Sequence, residues 1–210
     1  MENNNQVTLT GCFASDFIFS HEVLGEKFYT AFIAVARGSG AVDMLPALFS
    51  ERIIDTTGSY IKEPISITGS FRSYNQHDEN KTHLLLYIFV TDYEWSGGSM
   101  GNNAAVLEGY LCKKPVYRKT PLGREIADIM LAVNRPYGKS DYIPCICWGR
   151  NARYANNFHV GTRCEIWGRI QSREYMKKLS EDQVEKRVAY EVSVSKLELS
   201  EGYEESPMHA

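Results

Sequence analysis

Residues 107–135 read LEGYLCKKPVYRKTPLGREIADIMLAVNR, and residues 9–37 read LTGCFASDFIFSHEVLGEKFYTAFIAVAR. The two stretches align without a gap at an offset of 98 residues. The paired positions include Gly11 and Gly109, Gly25 and Gly123, Arg37 and Arg135, and, after one inserted residue, Gly69 and Gly168. A register held over this length indicates two copies of one structural unit.

Each copy has the pattern of β-strands separated by turn residues, with one short helix after the third strand. The predicted strands are 106–111, 126–134, 142–148, 164–172 and 188–197 in the second copy, and 6–13, 27–36, 44–50, 65–73 and 83–92 in the first. The predicted helix of the second copy covers Asn151 to Asn157. Five strands in this order are typical of the OB-fold, a Greek-key barrel. The sequence therefore predicts an all-β protein of two tandem five-stranded OB-fold barrels, with one short helix per domain.

A glycine- and serine-rich stretch lies between the copies. Residues 96–103 read SGGSMGNN, a composition typical of a flexible linker. The predicted organisation is a first barrel over 1–95, this linker, a second barrel over 104–199 and a short acidic tail over 200–210.

The composition narrows the class of protein. The chain has 210 residues, of which 43% are hydrophobic and 23% charged, as in ordinary globular proteins. No apolar run approaches the roughly 20 residues of a membrane span. Met1–Asn5 has no basic or apolar signal region, which predicts a cytoplasmic location. Five cysteines without metal-ligand spacing favour buried small hydrophobes over a zinc site, and we predict no metal and no cofactor.

Charge is distributed unevenly along the chain. Residues 1–100 carry six Lys and Arg against twelve Asp and Glu, a net charge of −6. Residues 101–197 carry seventeen against ten, a net charge of +7, and residues 198–210 carry −4. The overall charge of −3 therefore conceals an electropositive second copy, which favours an anionic partner for that half.

Alternation along two strands of the second copy predicts an aromatic and basic outer face. In 142–148, Ile143, Cys145 and Cys147 should point into the barrel, because side chains alternate across a strand. The residues predicted to point outward are Tyr142, Pro144, Ile146 and Trp148 in that strand, and Trp167, Arg169, Gln171, Arg173 and Tyr175 in the next. Aromatic rings stack on unpaired bases, and Arg and Lys neutralise phosphates. The alternative is that these rings are buried between subunits.

The second copy resembles the bacterial single-stranded DNA-binding protein family. The resemblance rests on TPLG at 120–123, LAVNRPYG at 131–138, DYIPCICWGRNARYANNF at 141–158, GTRCEIWGRIQSREY at 161–175 and EVSVSKLEL at 191–199. It implies stacking by Tyr137, Tyr142, Trp148 and Tyr175, and phosphate contacts by Lys139, Arg150, Arg169 and Arg173. We add Trp167 to the predicted nucleic-acid-binding residues. The tail lacks the aromatic tip with which family members recruit replication and repair proteins, which argues against recruitment by this route.

The first copy lacks most of these residues. In the repeat register Trp148 becomes Ser50 and Tyr142 becomes Met44. Phe28 and Phe32 are placed to face outward, but a net charge of −6 disfavours phosphate. The first copy is therefore predicted to be a degenerate domain that acts as a scaffold or an interface.

The leading hypothesis is a sequence-tolerant single-stranded DNA-binding protein of replication, recombination or repair. Because family members present four barrels, two barrels per chain predict a homodimer. The alternative is an adaptor of the primosomal or conjugative-element type, whose aromatic face binds protein. OB-folds also bind oligosaccharides or tRNA, and the fold alone does not exclude these ligands. The sequence contains no Walker loop, nucleophile elbow or metal-ligand spacing, so we predict no enzymatic activity.

Overall fold

The computed structural model describes residues 4–78, 81–97, 102–178 and 184–200. In the first half the strands are β1 (Asn5–Phe13), β2 (Ile18–Val23), β3 (Glu26–Ala36), β4 (Val42–Ser50), β5 (Pro64–Asp78) and β6 (Lys81–Trp95). In the second half they are β7 (Asn103–Leu111), β8 (Val116–Lys119), β9 (Glu125–Asn134), β10 (Ser140–Trp148), β11 (Arg163–Lys178) and β12 (Val184–Leu199). The helix α1 spans Arg150–Ala155, and a 3-10 turn spans Pro136–Gly138.

Five strands of each half close into a ring. β1, β3, β4, β6 and β5 pair in that order and return to β1, and β7, β9, β10, β12 and β11 do the same in the second half. The all-β prediction is confirmed. The short strands β2 and β8, which extend the hairpins to β3 and β9, were not predicted. All six residues of β2 are exposed, so this strand has no buried face. A strand without a buried face lacks the alternation of apolar and polar residues by which strands are predicted.

The prediction of one helix per domain is wrong for the first half. Residues 51–63, between β4 and β5, form turns instead of a helix. The side chain of Asp55 accepts hydrogen bonds from the backbone nitrogen and the hydroxyl of Thr57, a local contact that competes with a helix. A cluster of rings packs at this end of the barrel and comprises Phe13, Phe17, Phe49, Tyr60 and Trp95.

The repeated glycines lie where strands approach most closely. A Cβ atom on Gly11 would lie 2.4 Å from the Ala34 carbonyl oxygen, and one on Gly109 would lie 2.3 Å from that of Ala132. These are the crossings at which each ring closes, so only glycine fits without displacing the backbone. Close approach of the backbone therefore accounts for the glycine that the two copies share at this position.

The two rings share a single twelve-stranded sheet, because β1 and β7 pair antiparallel. Asn103, assigned to the linker by sequence, instead begins β7, and its side chain bonds the backbone of Ile170. Asn5 does the same with the backbone of Phe71. The division at residues 96–103 stays a prediction, since residues 98–101 lie outside the described ranges. Of the predicted tail, only Ser200 lies within them.

Candidate nucleic-acid interface

Two aromatic side chains lie on the outer face of β10. Ile143, Cys145 and Cys147 are buried inside the barrel, as predicted, whereas Tyr142 is 42% exposed and Trp148 is 37% exposed. The indole Nε1 of Trp148 donates a hydrogen bond to the Ser193 hydroxyl on β12 at 3.1 Å. This bond holds the ring at a defined angle while leaving part of it open to solvent.

Two residues predicted to face outward are buried. Ile146 is only 5% exposed, because β10 has a strand on each side and Ile146 lies between Asp128 of β9 and Ser193 of β12. Gln171 is also buried, and its amide donates to the Glu191 carboxylate at 2.8 Å. A register shift between Trp167 and Gly168 interrupts the regular pairing of β11 with β12 ahead of this position.

Three further predicted residues are exposed around the same barrel. Tyr137 is fully exposed and has a left-handed backbone with φ 66°, which is uncommon for a tyrosine. Lys139 follows it in the turn before β10, and Arg150 begins α1. Both cations are exposed, and neither is paired with a carboxylate in the part of the chain that the structure describes. They are available to phosphate.

The arginines of β11 already have carboxylate neighbours. Nη1 of Arg169 lies 3.7 Å from the Asp43 carboxylate of the first barrel and makes no hydrogen bond. Nε of Arg173 lies 3.6 Å from the Glu191 carboxylate. The Arg173 guanidinium also lies 5.8 Å from the ring centre of Tyr175. A phosphate would have to compete with these carboxylates, a cost that the sequence does not reveal.

Trp167 occupies a different part of the surface. Its register neighbours are Val106 on β7 and Lys196 on β12, on the sheet that runs through both barrels. The Lys196 ammonium lies 4.2 Å from the centre of the indole ring, within the range of a cation–π contact. The structure therefore separates Trp167 from Trp148, which lies on β10.

Tyr175 borders a groove of about 850 Å³ between the two barrels. The first barrel contributes Phe32, Leu48, Tyr74 and Tyr87 to its wall, and β10 contributes Pro144. Phe32 is one of the residues placed outward from the sequence, whereas neither tyrosine was predicted to belong to a site. Alternation along β5 and β6 is the signal that could have found them.

An arginine–aspartate pair of the first barrel binds the backbone of the second. Arg37 donates two hydrogen bonds to the buried Asp43, which accepts the backbone N–H of Ser172 at 2.6 Å and its hydroxyl at 2.9 Å. Burial disfavours the charged form of Asp43, but hydrogen bonds from Arg37 and Ser172 outweigh burial and hold its pKa below the usual range.

The second barrel makes the matching contact with the first. Asp141 accepts the backbone N–H of Ser73 at 2.6 Å, and Arg135, which also binds Asp141, donates to the Ser73 carbonyl at 3.0 Å. Arg135 and Asp141 are the repeat equivalents of Arg37 and Asp43. The barrels are thus joined by contacts related by an internal twofold relationship.

The described residues contain no group of three or more His, Cys, Asp or Glu side chains that could hold a metal ion. Among the same residues, no helix is both long and apolar enough to cross a membrane.

Closed rings of strands, with aromatic and basic side chains on an outer face, define a tandem OB-fold protein. Residues 102–200 match the model of the single-strand binding protein family. The second barrel is therefore similar to this family, over the residues that the model matches.

Relatives of known sequence support the same assignment. Over 80 residues the chain is 39% identical to single-stranded DNA-binding protein 3 of Listeria innocua, a match that covers 35% of this chain and 50% of the relative. It is 40% identical over 80 residues to single-stranded DNA-binding protein 1 of Staphylococcus aureus, covering 35% and 48%. The chain therefore spans about half the length of the curated relatives that it matches.

A solved structure is similar over the whole chain. The single-stranded DNA-binding protein from Thermus aquaticus aligns with a TM-score of 0.70, covering 98% of this chain and 96% of that one. The identity is 18%, so this similarity concerns the fold of both barrels together.

Proposed function

We propose that this protein binds single-stranded DNA with little sequence preference, through base stacking and phosphate contacts on the second barrel. The observation that carries the proposal is the half-exposed pair Tyr142 and Trp148 on β10, in the half of the chain with a net charge of +7. Stacking suits any base, because every base has a flat π-face. DNA replication, recombination and repair are the processes that expose such strands, and a cytoplasmic location is part of the proposal.

The proposed contacts divide into three kinds. Tyr142, Trp148 and Tyr175 stack on bases, and Tyr137 does so from its exposed turn. Lys139 and Arg150 supply cations without carboxylate partners among the described residues. Arg169 and Arg173 contact phosphate only if the strand draws them from Asp43 and Glu191.

We further propose a homodimer that presents four barrels. Closed twofold symmetry is the most common arrangement of soluble oligomers. Trp167 and its neighbour Val106 on the shared sheet supply an apolar surface for contact with the second copy. This arrangement leaves Trp148 free for DNA. The predicted division at residues 96–103 fits this assembly, since each chain then contributes two linked domains.

The alternative function is that of an adaptor whose aromatic face binds protein. The observation in its favour is that Arg169 and Arg173 are already near carboxylates. The experiment that separates the two is a titration of tryptophan fluorescence with oligo-dT of increasing length at two salt concentrations. Quenching that saturates and weakens with salt supports DNA binding, whereas unchanged fluorescence at low salt contradicts it.

A further inference from the structure

On two neighbouring strands, the first barrel has a small and an aromatic side chain where the second barrel has an aromatic and a small one. Parallel pairing aligns Ile146 with Ser193 in the second barrel and Leu48 with Phe89 in the first. Because Leu48 is the repeat equivalent of Ile146, Phe89 occupies the position of Ser193. The second barrel therefore has tryptophan on β10 and serine on β12, whereas the first has Ser50 on β4 and phenylalanine on β6.

This exchange keeps an aromatic ring at the place where the repeat register shows only Ser50. Phe28 on β3 lies opposite Ser50 on β4. The small serine lets the rings of Phe28 and Phe89 approach each other across β4, with their centres 6.0 Å apart. The first barrel thus lacks the tryptophan but has aromatic surface on the neighbouring strands of this face.

The two rings belong to a longer row, which we call the first-barrel strip and define as His21, Phe28, Phe89 and Arg72. His21 stacks on Phe28 with ring centres 5.1 Å apart and planes 12° apart. The Arg72 guanidinium lies 4.4 Å from the centre of the Phe89 ring. His21 is exposed and the other three are half-buried. The strip thus has an open stacking surface at one end and a cation at the other.

We propose that the first-barrel strip is a second stacking site for an unpaired nucleobase of the same DNA strand. This inference rests on the proposed function of the second barrel. Tyr175 of the second barrel and His21 of the strip line the same groove between the barrels. A strand that stacks on Tyr175 can therefore continue to His21 along one surface.

The charges around the strip set the kind of contact. Glu26 accepts a hydrogen bond from Ser50 and lies 3.2 Å from Arg52, so the carboxylate that borders the strip is already part of an ion pair. A neutral base gains stacking on the rings of the strip without an ionic contact. The rings of the first-barrel strip therefore contribute to affinity and occluded length, with no contribution to the salt dependence of binding.

The test uses the full chain with Phe28→Leu and Phe89→Leu combined, which keep apolar volume but remove both rings. The control is Phe19→Leu, which removes an exposed ring on β2 that packs on Tyr29 outside the strip. Affinity is measured for oligo-dT long enough to span both barrels and for oligo-dT that covers one. We expect the double variant to bind the long oligonucleotide at least about fivefold more weakly, with the short one and the salt slope unchanged.

Several outcomes overturn the inference. One is equal affinity of the double variant and the wild type for the long oligonucleotide, and another is an equal loss in the control. A change in the mass of the free protein by light scattering, with binding intact, makes the strip a protein contact. Failure of the wild type to bind the short oligonucleotide contradicts the proposed function instead.

A second measurement does not depend on how the variant folds. Oligo-dT containing 5-iodouracil is crosslinked to the wild-type protein by light, and the modified peptides are identified by mass spectrometry. Crosslinks to His21, Phe28 or Phe89 support the strip. Crosslinks confined to the second barrel at saturating long oligonucleotide overturn it.

Discussion

The Oδ1 atom of Asp43, in the first barrel, lies 2.6 Å from the backbone nitrogen of Ser172, in the second. Asp141 and Ser73 make the same contact in the opposite direction, also at 2.6 Å. A strand of each barrel is thus held by a carboxylate of the other, and each carboxylate is held by an arginine of its own barrel. These contacts fix the two barrels relative to each other and shape the groove between them.

Replacing Asp43 with Asn should destabilise the fold. The substitution removes the charge that binds Arg37 but keeps an oxygen for Ser172, so we expect a loss of about 2 kcal/mol in the free energy of unfolding at pH 7. Chemical denaturation measures it. Asp128→Asn is the control, because its ion pair with Arg118 is exposed and should be worth less than about 1 kcal/mol.

The Asp43 contribution should also depend on pH. Its folded pKa lies below its ordinary value, so the stabilisation is complete above about pH 4 and is lost as the pH falls through the folded pKa. The difference in unfolding free energy between wild type and Asp43→Asn should narrow on acidification. A difference that stays constant from pH 7 to pH 2 contradicts this assignment.

Trp148→Ala should weaken binding of single-stranded DNA by roughly 1–3 kcal/mol, the range that alanine substitutions give for base stacking on such surfaces. The ring is partly exposed, so thermal unfolding should change little. Met44→Ala, at the first-barrel position equivalent to Tyr142, should leave affinity nearly unchanged. Fluorescence anisotropy with labelled oligo-dT measures both. If Trp148→Ala breaks the dimer while each chain still binds DNA, this face is a subunit interface.

Binding should weaken with salt, and particular cations should account for it. On a log–log plot, the slope should be about −0.7 per phosphate neutralised. Lys139→Gln and Arg150→Gln should each make the slope shallower by about that amount, whereas Arg169→Gln should change it less, because its guanidinium faces Asp43. A binding constant that ignores salt would favour the adaptor function.

Light scattering should give a mass of twice the 23.8 kDa chain at micromolar concentration. Trp167→Ala should shift the population towards the monomer, because it removes apolar area next to Val106 on the shared sheet. Trp148→Ala should not. A mass of 23.8 kDa for the wild type at micromolar concentration would refute the dimer.

The cysteines should react in two classes. Cys145, Cys147 and Cys164 are buried, and burial raises the pKa of Cys147 and Cys164 to about 12. Because the thiolate is the reactive form, these three should resist a disulfide reagent until the protein unfolds. Cys12 and Cys112 are half-buried and should react first. Native labelling of more than two of the five thiols would contradict the buried assignment.

Local sequence determined the features that depend on neighbouring residues or on backbone geometry. The 98-residue repeat indicated two copies of one barrel, and its shared glycines marked the ring crossings, where a side chain has no room. Alternation placed Ile143, Cys145 and Cys147 inside and left Tyr142 and Trp148 outside. These features are readable because a strand turns successive side chains to opposite faces, whatever its partners are.

Tertiary structure alone decided the features that join distant strands. It placed Arg169 near Asp43, gave the first barrel turns over residues 51–63 in place of the expected helix, and brought Phe28 and Phe89 together across Ser50. Each depends on which strands become neighbours when the rings close and the two barrels dock. The sequence gives the charge of each side chain directly. Whether that charge faces solvent or a carboxylate of the other barrel depends on the packing of strands more than a hundred residues apart.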